Sequence, residues 1–406
     1  MAEPLRNHFD HRVPRRLASR LTEAWPDFSA DRFLDDALQG YDELGLMDRG
    51  RHIARALRKH LPDAYPRALQ ILLRSVGDRP ARSEGDGGMA SFLYLPHVQF
   101  VELFGLDHFE PSMRALHLLT QRFTGEFAVR PFLERYEAET LGRLREWTRD
   151  PDPHVRRLTS EGTRPRLPWA RRLRRFQADP SPVIEILEVL RDDPDPFVRR
   201  SVANNLNDIG KDNPDVLLEV ARRWNVGASE ERLALVRHAL RSRVKAGDAR
   251  ALDILGFRNS VGVELGGVTV EPAMVPMGGS VTIGFELRGT TGSTQRLLVD
   301  LRVHYVKANG STSPRVFKLR TVELAPGASE VFSKRLSLAD LSTRRHHAGV
   351  HRLEVLINGT VEPLGEFLLM HARDAGGSAE ARNRRAPSPS SPVTARNRLP
   401  RAAEES

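Results

Sequence analysis

Two carboxylates and a basic segment with a tryptophan are the residues of this chain whose types and spacing could do chemistry. Glu161 lies in SEGTRPRLPW (160–169), and Asp208 ends the polar stretch SVANNLND (201–208). Gly162 and two prolines within seven residues predict that a helix ends early there. Trp169 is then followed by four arginines in ARRLRR (170–175). This combination is typical of a site that binds a cationic or aromatic group near phosphates.

Each of these features also has a purely structural interpretation. Trp169 taken alone could pack in a core, and the arginine cluster taken alone could be the solvated face of a helix. Their occurrence together beside two carboxylates favours a site.

The elements that must position these residues come from an internal repeat. DPDPHVRR (150–157) recurs as DPDPFVRR (193–200), 43 residues downstream, and a weaker third copy, LVRHA, occupies 235–239. Self-similarity at a period of about 40 residues is the mark of a helical-repeat solenoid of the HEAT type. Apolar residues at three- and four-residue spacing extend the helical pattern upstream, including one segment over 130–149. Residues 1–257 are therefore predicted to form an all-α, HEAT-like repeat domain.

Alignment of the copies predicts which side chains share a surface. The arginine after each aligned valine is expected to bond to an aspartate of a neighbouring turn; these are Arg156, Arg199 and Arg237. The residue after each of these arginines lies on the same helix face as the residues one and two helical turns further along the chain. The set predicted to line a single surface is Arg157, Glu161, Asn204 and Asp208.

The hydrophobic pattern changes from helical to alternating after residue 258. Short β-type runs such as VTIGFEL (281–287) are separated by turn residues, and Asn358-Gly359 is a strong hairpin signal. About seven strands in roughly 110 residues are typical of an immunoglobulin-like sandwich, predicted here over 259–372. The Gly, Ser, Pro and Arg content of 374–406 predicts a disordered basic tail.

Composition restricts the function classes. The 406-residue chain has no cysteine, which excludes disulfides, thiolate catalysis and cysteine-based metal sites. No apolar run approaches a membrane span, so a reducing, intracellular setting is expected. The net charge of +9 favours an acidic polymer as partner. Six arginines and three acids in 378–406 supply +3 of that charge.

Three motifs together resemble a known family. TGEFAVRPF (124–132), SEGTRPRLPWA (160–170) and SVANNLNDIGKDNPD (201–215) are similar to segments of the HEAT-like-repeat alkylpurine DNA glycosylases, in the AlkC branch that has an immunoglobulin-like module. The resemblance implies monofunctional excision of 3-methyladenine, with 3-methylcytosine as a further candidate, from double-stranded DNA. It implies a bacterial, cytoplasmic, nucleoid-associated monomer that uses neither a cofactor nor a metal.

Carried over by motif, the resemblance implies a catalytic pocket of four residues: Glu126, Glu161, Trp169 and Asp208. Arg157 and Arg164 would hold the DNA backbone or order the carboxylates. The full DNA-binding set expected is Arg157, Arg164, Arg166, Arg200, Arg344 and Arg345. The last two lie in the loop STRRHH (342–347), whose alternative interpretation is an exposed basic turn. Its two adjacent histidines would point to opposite faces of a strand, so no metal site is expected there.

The chemistry fits these residue types. An N3-methylated purine is already cationic and needs no strong general acid to leave, so carboxylates need only stabilise an oxocarbenium-like sugar and position water. Trp169 would add a cation–π contact of roughly 0.5–2 kcal/mol. An all-anionic pocket without a catalytic lysine is expected, and hence no Schiff base. We expect Glu161 and Asp208 to flank the sugar and Glu126 to hold water or the lesion. The resemblance implies that the base is reached without full flipping.

Two other functions are compatible with parts of the sequence. A non-catalytic HEAT-repeat scaffold that binds protein or nucleic acid would explain the repeats, the charge and the sandwich. It would not explain the position of the carboxylates and the tryptophan. A carbohydrate-acting hydrolase would also use paired carboxylates, but it would need more aromatic residues than the 6% present here.

Overall fold

A computed structural model describes residue 7 and residues 9–77, 89–258, 261–340 and 345–371. The predicted tail (374–406) and Arg344 lie outside the described residues. The chain divides into two compact units, residues 1–240 and 241–406. Within the described ranges, no helix is both long enough and apolar enough to cross a membrane.

The first unit consists of α-helices, which confirms the predicted all-α domain. In the described residues these are α1 (Arg12–Ala24), α2 (Ala30–Leu38), α3 (Leu46–His60), α4 (Tyr65–Arg74), α5 (Leu95–Phe104), α6 (Phe109–Thr120), α7 (Arg130–Arg135), α8 (Glu137–Trp147), α9 (Pro153–Gly162), α10 (Arg174–Ala178), α11 (Ser181–Leu190), α12 (Pro196–Asp212), α13 (Pro214–Asn225) and α14 (Glu230–Lys245), which runs into the second unit. The continuous helix expected over 130–149 is wrong, because Tyr136 leaves the helical conformation (φ −131°, ψ 58°) and separates α7 from α8.

The Asp-Pro-Asp-Pro motif builds the same turn in both repeats. In α9 and α12 the second aspartate of the motif, Asp152 or Asp195, caps the helix by accepting a hydrogen bond of 2.8 Å from a backbone N–H. A proline follows it in the first helical turn, where no intrahelical N–H partner is lost. The sequence identity of the two copies is therefore matched by identical capping.

Of the three arginines predicted to form a ladder, Arg156 bonds to the aspartate of the neighbouring repeat. Arg156 Nε and Nη2 donate to the carboxylate of Asp193 at 2.6 and 2.9 Å. Arg156 also donates to the carbonyl of Asp150, and Arg199 donates to that of Asp193, so each arginine closes its own turn. The ladder holds α9 and α12 side by side in a fixed register.

The two repeat helices differ in length, as the sequence predicts. α9 ends at Gly162 after 10 residues, whereas α12 continues for 17. A Cβ atom at Gly162 would lie 2.6 Å from Val129 Cγ1, so only glycine fits at this end of α9. The early end leaves room for the loop 163–173 beside α12.

The second unit is a two-sheet sandwich, as predicted. Its strands are β1 (Val263–Glu271), β2 (Met274–Pro276), β3 (Ser280–Gly289), β4 (Gln295–Val306), β5 (Thr312–Leu324), β6 (Ser329–Ser337), β7 (Gly349–Ile357) and β8 (Thr360–Met370). One sheet has the order β1-β3-β6 and the other β2-β8-β7-β4-β5, and only the β2–β8 pair is parallel among the described strands. Alternate residues of both sheets form a shared apolar core.

The hairpin predicted at Asn358-Gly359 joins β7 to β8. Both residues have positive φ, 47° and 83°, which is the conformation of a two-residue type I′ turn. The Asn358 side chain donates to the carbonyls of Arg258 and Arg296. The turn thereby joins Arg258, which precedes β1, to the start of β4.

Residues 241–258 belong to the second unit although their pattern is helical. The short helix α15 (Ala249–Ile254) supplies Leu252, which packs with Phe257 and with Leu298 of β4 in a small apolar cluster. The division between the compact units therefore falls within α14, after Leu240.

Candidate active site

Three carboxylates meet on one side of the first unit, each from a different element. Glu161 lies in the last turn of α9 and Asp208 near the C-terminal end of α12, while Glu126 lies in the loop before α7. Glu161 is 5% exposed and Asp208 only 1%. Buried carboxylates are stable as anions only when cations or hydrogen-bond donors face them.

Arg164 supplies that charge to two of them. Its Nη1 donates to Glu161 Oε1 at 2.5 Å, and its Nε donates to Asp208 Oδ2 at 2.8 Å. Burial alone would lower the pKa of Arg164, but the two adjacent carboxylates raise it above its ordinary value. In this geometry the planar guanidinium fixes the separation of Glu161 and Asp208, which a lysine could not do.

Arg157 links the third carboxylate to the other two. Its Nη2 lies 3.2 Å from Glu126 Oε2 and 3.7 Å from Glu161 Oε1. Glu126 also accepts a hydrogen bond of 3.1 Å from Thr124 Oγ1. Burial raises the pKa of Glu126 above its ordinary value, although Arg157 and Thr124 oppose that rise and Glu161 adds to it.

The second carboxylate oxygens of Glu161 and Asp208 have partners that sequence reasoning missed. Ser201 Oγ donates to Glu161 Oε2, and Lys211 Nζ donates to Asp208 Oδ1, both at 2.6 Å. Asn205 donates to the carbonyl of Ser160 and so binds α12 to α9. Ser201, Asn205 and Asp208 are spaced by four and three residues along α12, and this spacing was the signal that could have revealed them.

The expectation of an all-anionic pocket is therefore wrong. Two guanidinium groups and one ammonium lie between and beside the three carboxylates, because unpaired anions this deeply buried would take up protons. We call this set the carboxylate row: Glu126, Arg157, Glu161, Arg164, Asp208 and Lys211.

A buried arginine outside the row holds the loop that follows α9. Arg130 Nη1 donates to the carbonyls of Gly162 and Arg164, both at 2.9 Å, and Nη2 donates to the carbonyl of Arg171. Burial lowers the pKa of Arg130 to about 10, which leaves it charged at neutral pH. Arg130 of α7 thus holds both ends of the loop 163–173 by hydrogen bonds.

Trp169 lies on this loop and does not pack in a core. Its side chain is 83% exposed, and its φ of 63° is in the left-handed region. A non-glycine residue in that region is strained and persists where its surroundings hold it. The structure excludes the core interpretation of Trp169, and its part in catalysis stays a prediction.

The other predicted residues are spread more widely. Arg166 makes a two-point ion pair with Asp212, at 2.7 and 2.5 Å. Asn204 bonds to His238 at 2.9 Å. Arg200 and Arg345 are exposed. In the described part of the chain, no group of three or more His, Asp or Glu side chains is placed to hold a metal ion.

Fold and site together define a class: a helical-repeat domain with a row of buried and partly buried, cation-paired carboxylates, followed by a β-sandwich. Residues 124–241 match the family model described as DNA alkylation repair enzyme. Residues 264–371 match the model described as the C-terminal Ig-like domain of the uncharacterised protein YhaZ.

Two relatives match over nearly the whole chain. The uncharacterized protein YhaZ of Bacillus subtilis (strain 168) is 36% identical over 364 residues, which are 89% of this chain and 98% of that protein. The alkylpurine DNA glycosylase AlkC of Pseudomonas fluorescens, solved bound to DNA containing an abasic site analog, is 36% identical. It superimposes with a TM-score of 0.84 over 91% of this chain and 100% of its own. The chain belongs to the DNA alkylation repair enzyme family, in its AlkC branch, and the predicted resemblance is confirmed.

Proposed function

We propose that this protein is a monofunctional DNA glycosylase that hydrolyses the N-glycosidic bond of cationic N3-alkylated bases in double-stranded DNA. The observation that carries the proposal is the carboxylate row, in which two buried carboxylates and the partly buried Glu126 are held in order by Arg157 and Arg164. The 36% identity to a solved alkylpurine DNA glycosylase supports the same reaction class. We propose 3-methyladenine as the principal lesion and 3-methylcytosine as a second one.

The reaction needs little acid catalysis. When the bond between C1′ and the base nitrogen breaks, its electron pair passes to the cationic base, which leaves neutral. Positive charge then develops on the sugar, where Glu161 and Asp208, held by one guanidinium, would stabilise the oxocarbenium-like state. Water adds to C1′, and its proton passes to a carboxylate acting as general base.

Glu126 suits the task of orienting the water or the cationic base. It has fewer cationic partners than Glu161 or Asp208, and burial raises its pKa toward the range of a useful base. A cationic lesion beside it would replace charge that only Arg157 now provides. Trp169, exposed on the pinned loop, is proposed to contact the base or sugar from the same side.

The proposed absence of strand cleavage rests on the contact that the lysine of the row makes. Lys211 Nζ donates to Asp208 Oδ1 at 2.6 Å, and we propose that this ion pair occupies its amine, so that it does not act as a Schiff-base nucleophile. Borohydride treatment during turnover is expected to trap no protein–DNA adduct. A trapped adduct that disappears in Lys211→Arg would refute the monofunctional assignment.

The first prediction is release of free 3-methyladenine from methylated duplex DNA by the wild type, measured in single turnover. Glu161→Gln and Asp208→Asn keep the shape of the site but remove the charge that faces the sugar. Each is expected to lower the rate by roughly 10²–10³-fold, as for loss of one transition-state partner. Glu264→Gln, an exposed carboxylate in β1, is the matched control and should excise normally.

Binding to DNA with an abasic-site analogue separates this proposal from the scaffold function. The two variants should bind such DNA with nearly wild-type affinity while losing turnover. A folded wild-type protein that binds this DNA but releases no base would support the non-catalytic scaffold instead.

The second prediction concerns the second unit, which we propose helps to grip the DNA through the loop that contains Arg345. Arg345 is exposed, and a phosphate contact by an arginine contributes about 0.9 to the slope of log K against log salt concentration. Arg345→Gln should reduce that slope by about this amount and leave single-turnover excision at saturating protein unchanged. An unchanged slope would remove Arg345 from the DNA contacts.

A further inference from the structure

We propose that a second groove, lined by arginines and lying next to the carboxylate row, binds the sugar-phosphate backbone of the duplex beside the lesion. The inference rests on the proposed function in one respect only, that duplex DNA is the ligand. It assigns a separate phosphate-binding site to residues that take no part in the proposed chemistry.

The groove is built by a three-residue pattern in RRLRRF (171–176). Leu173 and Phe176 are buried, at 4% and 2% exposure, whereas the four arginines between and before them are exposed. Two apolar anchors therefore present four guanidinium groups outward from a fixed segment. This explains the arginine cluster as something more defined than a solvated helix face.

The charge of the groove is strongly positive. Its volume is about 740 Å³, and its walls include two carboxylates, Glu134 and Glu137, and five guanidinium groups: Arg135, Arg171, Arg172, Arg174 and Arg175. The two carboxylates engage only the outer arginines, Arg171 at 3.7 Å and Arg175 at 2.5 Å. Both of those arginines are more than three-quarters exposed, so these are weak surface pairs.

The two central arginines of the cluster are the strongest candidates for phosphate contacts. Arg172 and Arg174 are exposed, and neither forms an ion pair with any side chain in the described ranges. An unpaired guanidinium can give two parallel hydrogen bonds to a phosphate without first breaking a salt bridge.

Three contacts fix this groove to the candidate active site. The N–H of Leu173 donates to the carbonyl of Pro165 at 3.2 Å, which places the cluster beside the residue that follows Arg164. Arg130 holds the carbonyl groups of Arg164 and Arg171 with one guanidinium. Gln177 donates to Asp212, one turn beyond Asp208 on α12.

These contacts make DNA backbone the ligand of choice over an acidic protein segment. A duplex with its lesion at the carboxylate row must extend past the adjacent surface, and its strand carries a phosphate about every 3.4 Å along the helix axis. Because the loop is pinned at both ends, the arginines keep a constant offset from the lesion. The groove would thus set the register of the strand relative to the reacting sugar.

The test compares Arg172→Gln/Arg174→Gln with the control Arg67→Gln/Arg222→Gln, which removes two exposed arginines that form no ion pair within the described residues. Binding to undamaged duplex and to duplex with an abasic-site analogue is measured over a range of salt. The groove variant should lose about 1.8 from the slope of log K against log salt, about 0.9 for each phosphate contact. The control should keep both the wild-type slope and the wild-type rate of excision at saturating protein.

Neutral methylphosphonate linkages, placed one at a time on either side of the lesion, then locate the contact. Substitution at one or two neighbouring positions should weaken binding by the wild type but not further weaken binding by the groove variant. Equal slopes for the groove variant and the control would overturn the proposal, as would wild-type failure to bind duplex DNA. A reduced slope in a protein that releases no base would leave the groove in place and reject the glycosylase.

Discussion

Glu126 differs from the other two carboxylates of the row because of what faces it. Glu161 and Asp208 share Arg164 and each has a second donor, whereas Glu126 depends on Arg157 and on the hydroxyl of Thr124. Burial therefore raises the pKa of Glu126 without full compensation. Its ionisation is the step in the proposed mechanism that should be most sensitive to pH.

The third prediction follows from that sensitivity. A group with a raised pKa is ionised above that pKa and protonated below it, so excision should fall as the pH decreases through the pKa of Glu126. The Thr124 hydrogen bond lowers this pKa. In Thr124→Val the acidic limb of the single-turnover rate should therefore move to higher pH, with little change well above it.

Thr22→Val, which removes a hydroxyl that donates to the carbonyl of Ala18 in α1, is the control and should leave the pH profile in place. If the acidic limb of Thr124→Val coincides with that of the wild type, ionisation of Glu126 does not limit excision. The task of base would then pass to Glu161 or Asp208.

Much of the row could be predicted from sequence because its residues recur at repeat-related or helical spacing. Arg157 and Glu161 are four residues apart on one helix, and the aligned repeat placed Asp208 on the same side. The counter-charges were not predictable in the same way. Lys211 looked like any solvated lysine near a helix end, and Arg164 could have contacted either phosphate or carboxylate. Their roles depend on tertiary distances.

At the scale of elements, the short length of α9 makes the site possible. Gly162 and the two prolines stop the helix one residue after Glu161, and the chain returns across α12 as a loop. The sequence predicted this stop but not what holds the loop. Arg130 comes from α7, beyond an entire helix pair, and no local pattern connects it with residues 162–171.

The fourth prediction is that Arg130→Met loosens this loop. The substitution keeps an unbranched apolar stem but leaves the carbonyls of Gly162, Arg164 and Arg171 without their donor. Because buried unsatisfied groups cost about 1–3 kcal/mol, the free energy of unfolding should fall by roughly 2–4 kcal/mol. Excision should also slow, since Arg164 begins the loop that Arg130 holds.

Denaturant unfolding followed by tryptophan fluorescence measures the stability change. Arg135→Met in the same helix α7 is the control, since Arg135 is 48% exposed and its ion pair with Asp107 lies at the surface. Its effect should stay within about 1 kcal/mol. A stable Arg130→Met protein with wild-type excision would show that the loop holds its conformation without the clamp.

At the scale of the whole molecule, each of the two compact units has its own core, and tryptophan fluorescence reports the unfolding of the first unit only. The change from helical to alternating periodicity predicted two domains, but it did not predict that residues 241–258 pack with the second one. Periodicity reports which face of an element is apolar, and it does not report which neighbour covers that face. All four tryptophans lie before residue 241, so fluorescence follows the first unit alone.

Asp300 is the residue on which the stability of the second unit should depend most strongly on pH. It lies in the middle of β4, is 6% exposed, and its Oδ1 has no hydrogen-bond partner among the described residues. Burial raises the pKa of Asp300 from 3.8 to about 6, although Lys318 and Lys245 oppose the rise. Between these two values the folded unit binds more protons than the unfolded chain, so its stability should fall as the pH increases.

Above about pH 6 the full cost of the buried charge is present, roughly 2–3 kcal/mol at 1.36 kcal/mol per pKa unit. The fifth prediction is that Asp300→Asn stabilises the second unit at pH 7.5 and flattens its pH dependence between about 4 and 6. Calorimetry of the full chain measures the transition temperature of the second unit. Its transition is recognised as the one at which tryptophan fluorescence does not change. Glu323→Gln, an exposed carboxylate in β5, should leave that transition in place. A lower transition temperature of Asp300→Asn at pH 7.5 would mean that Lys318 and Lys245 stabilise the ionised carboxylate more than burial destabilises it. The stability of the second unit should then rise, not fall, as the pH increases.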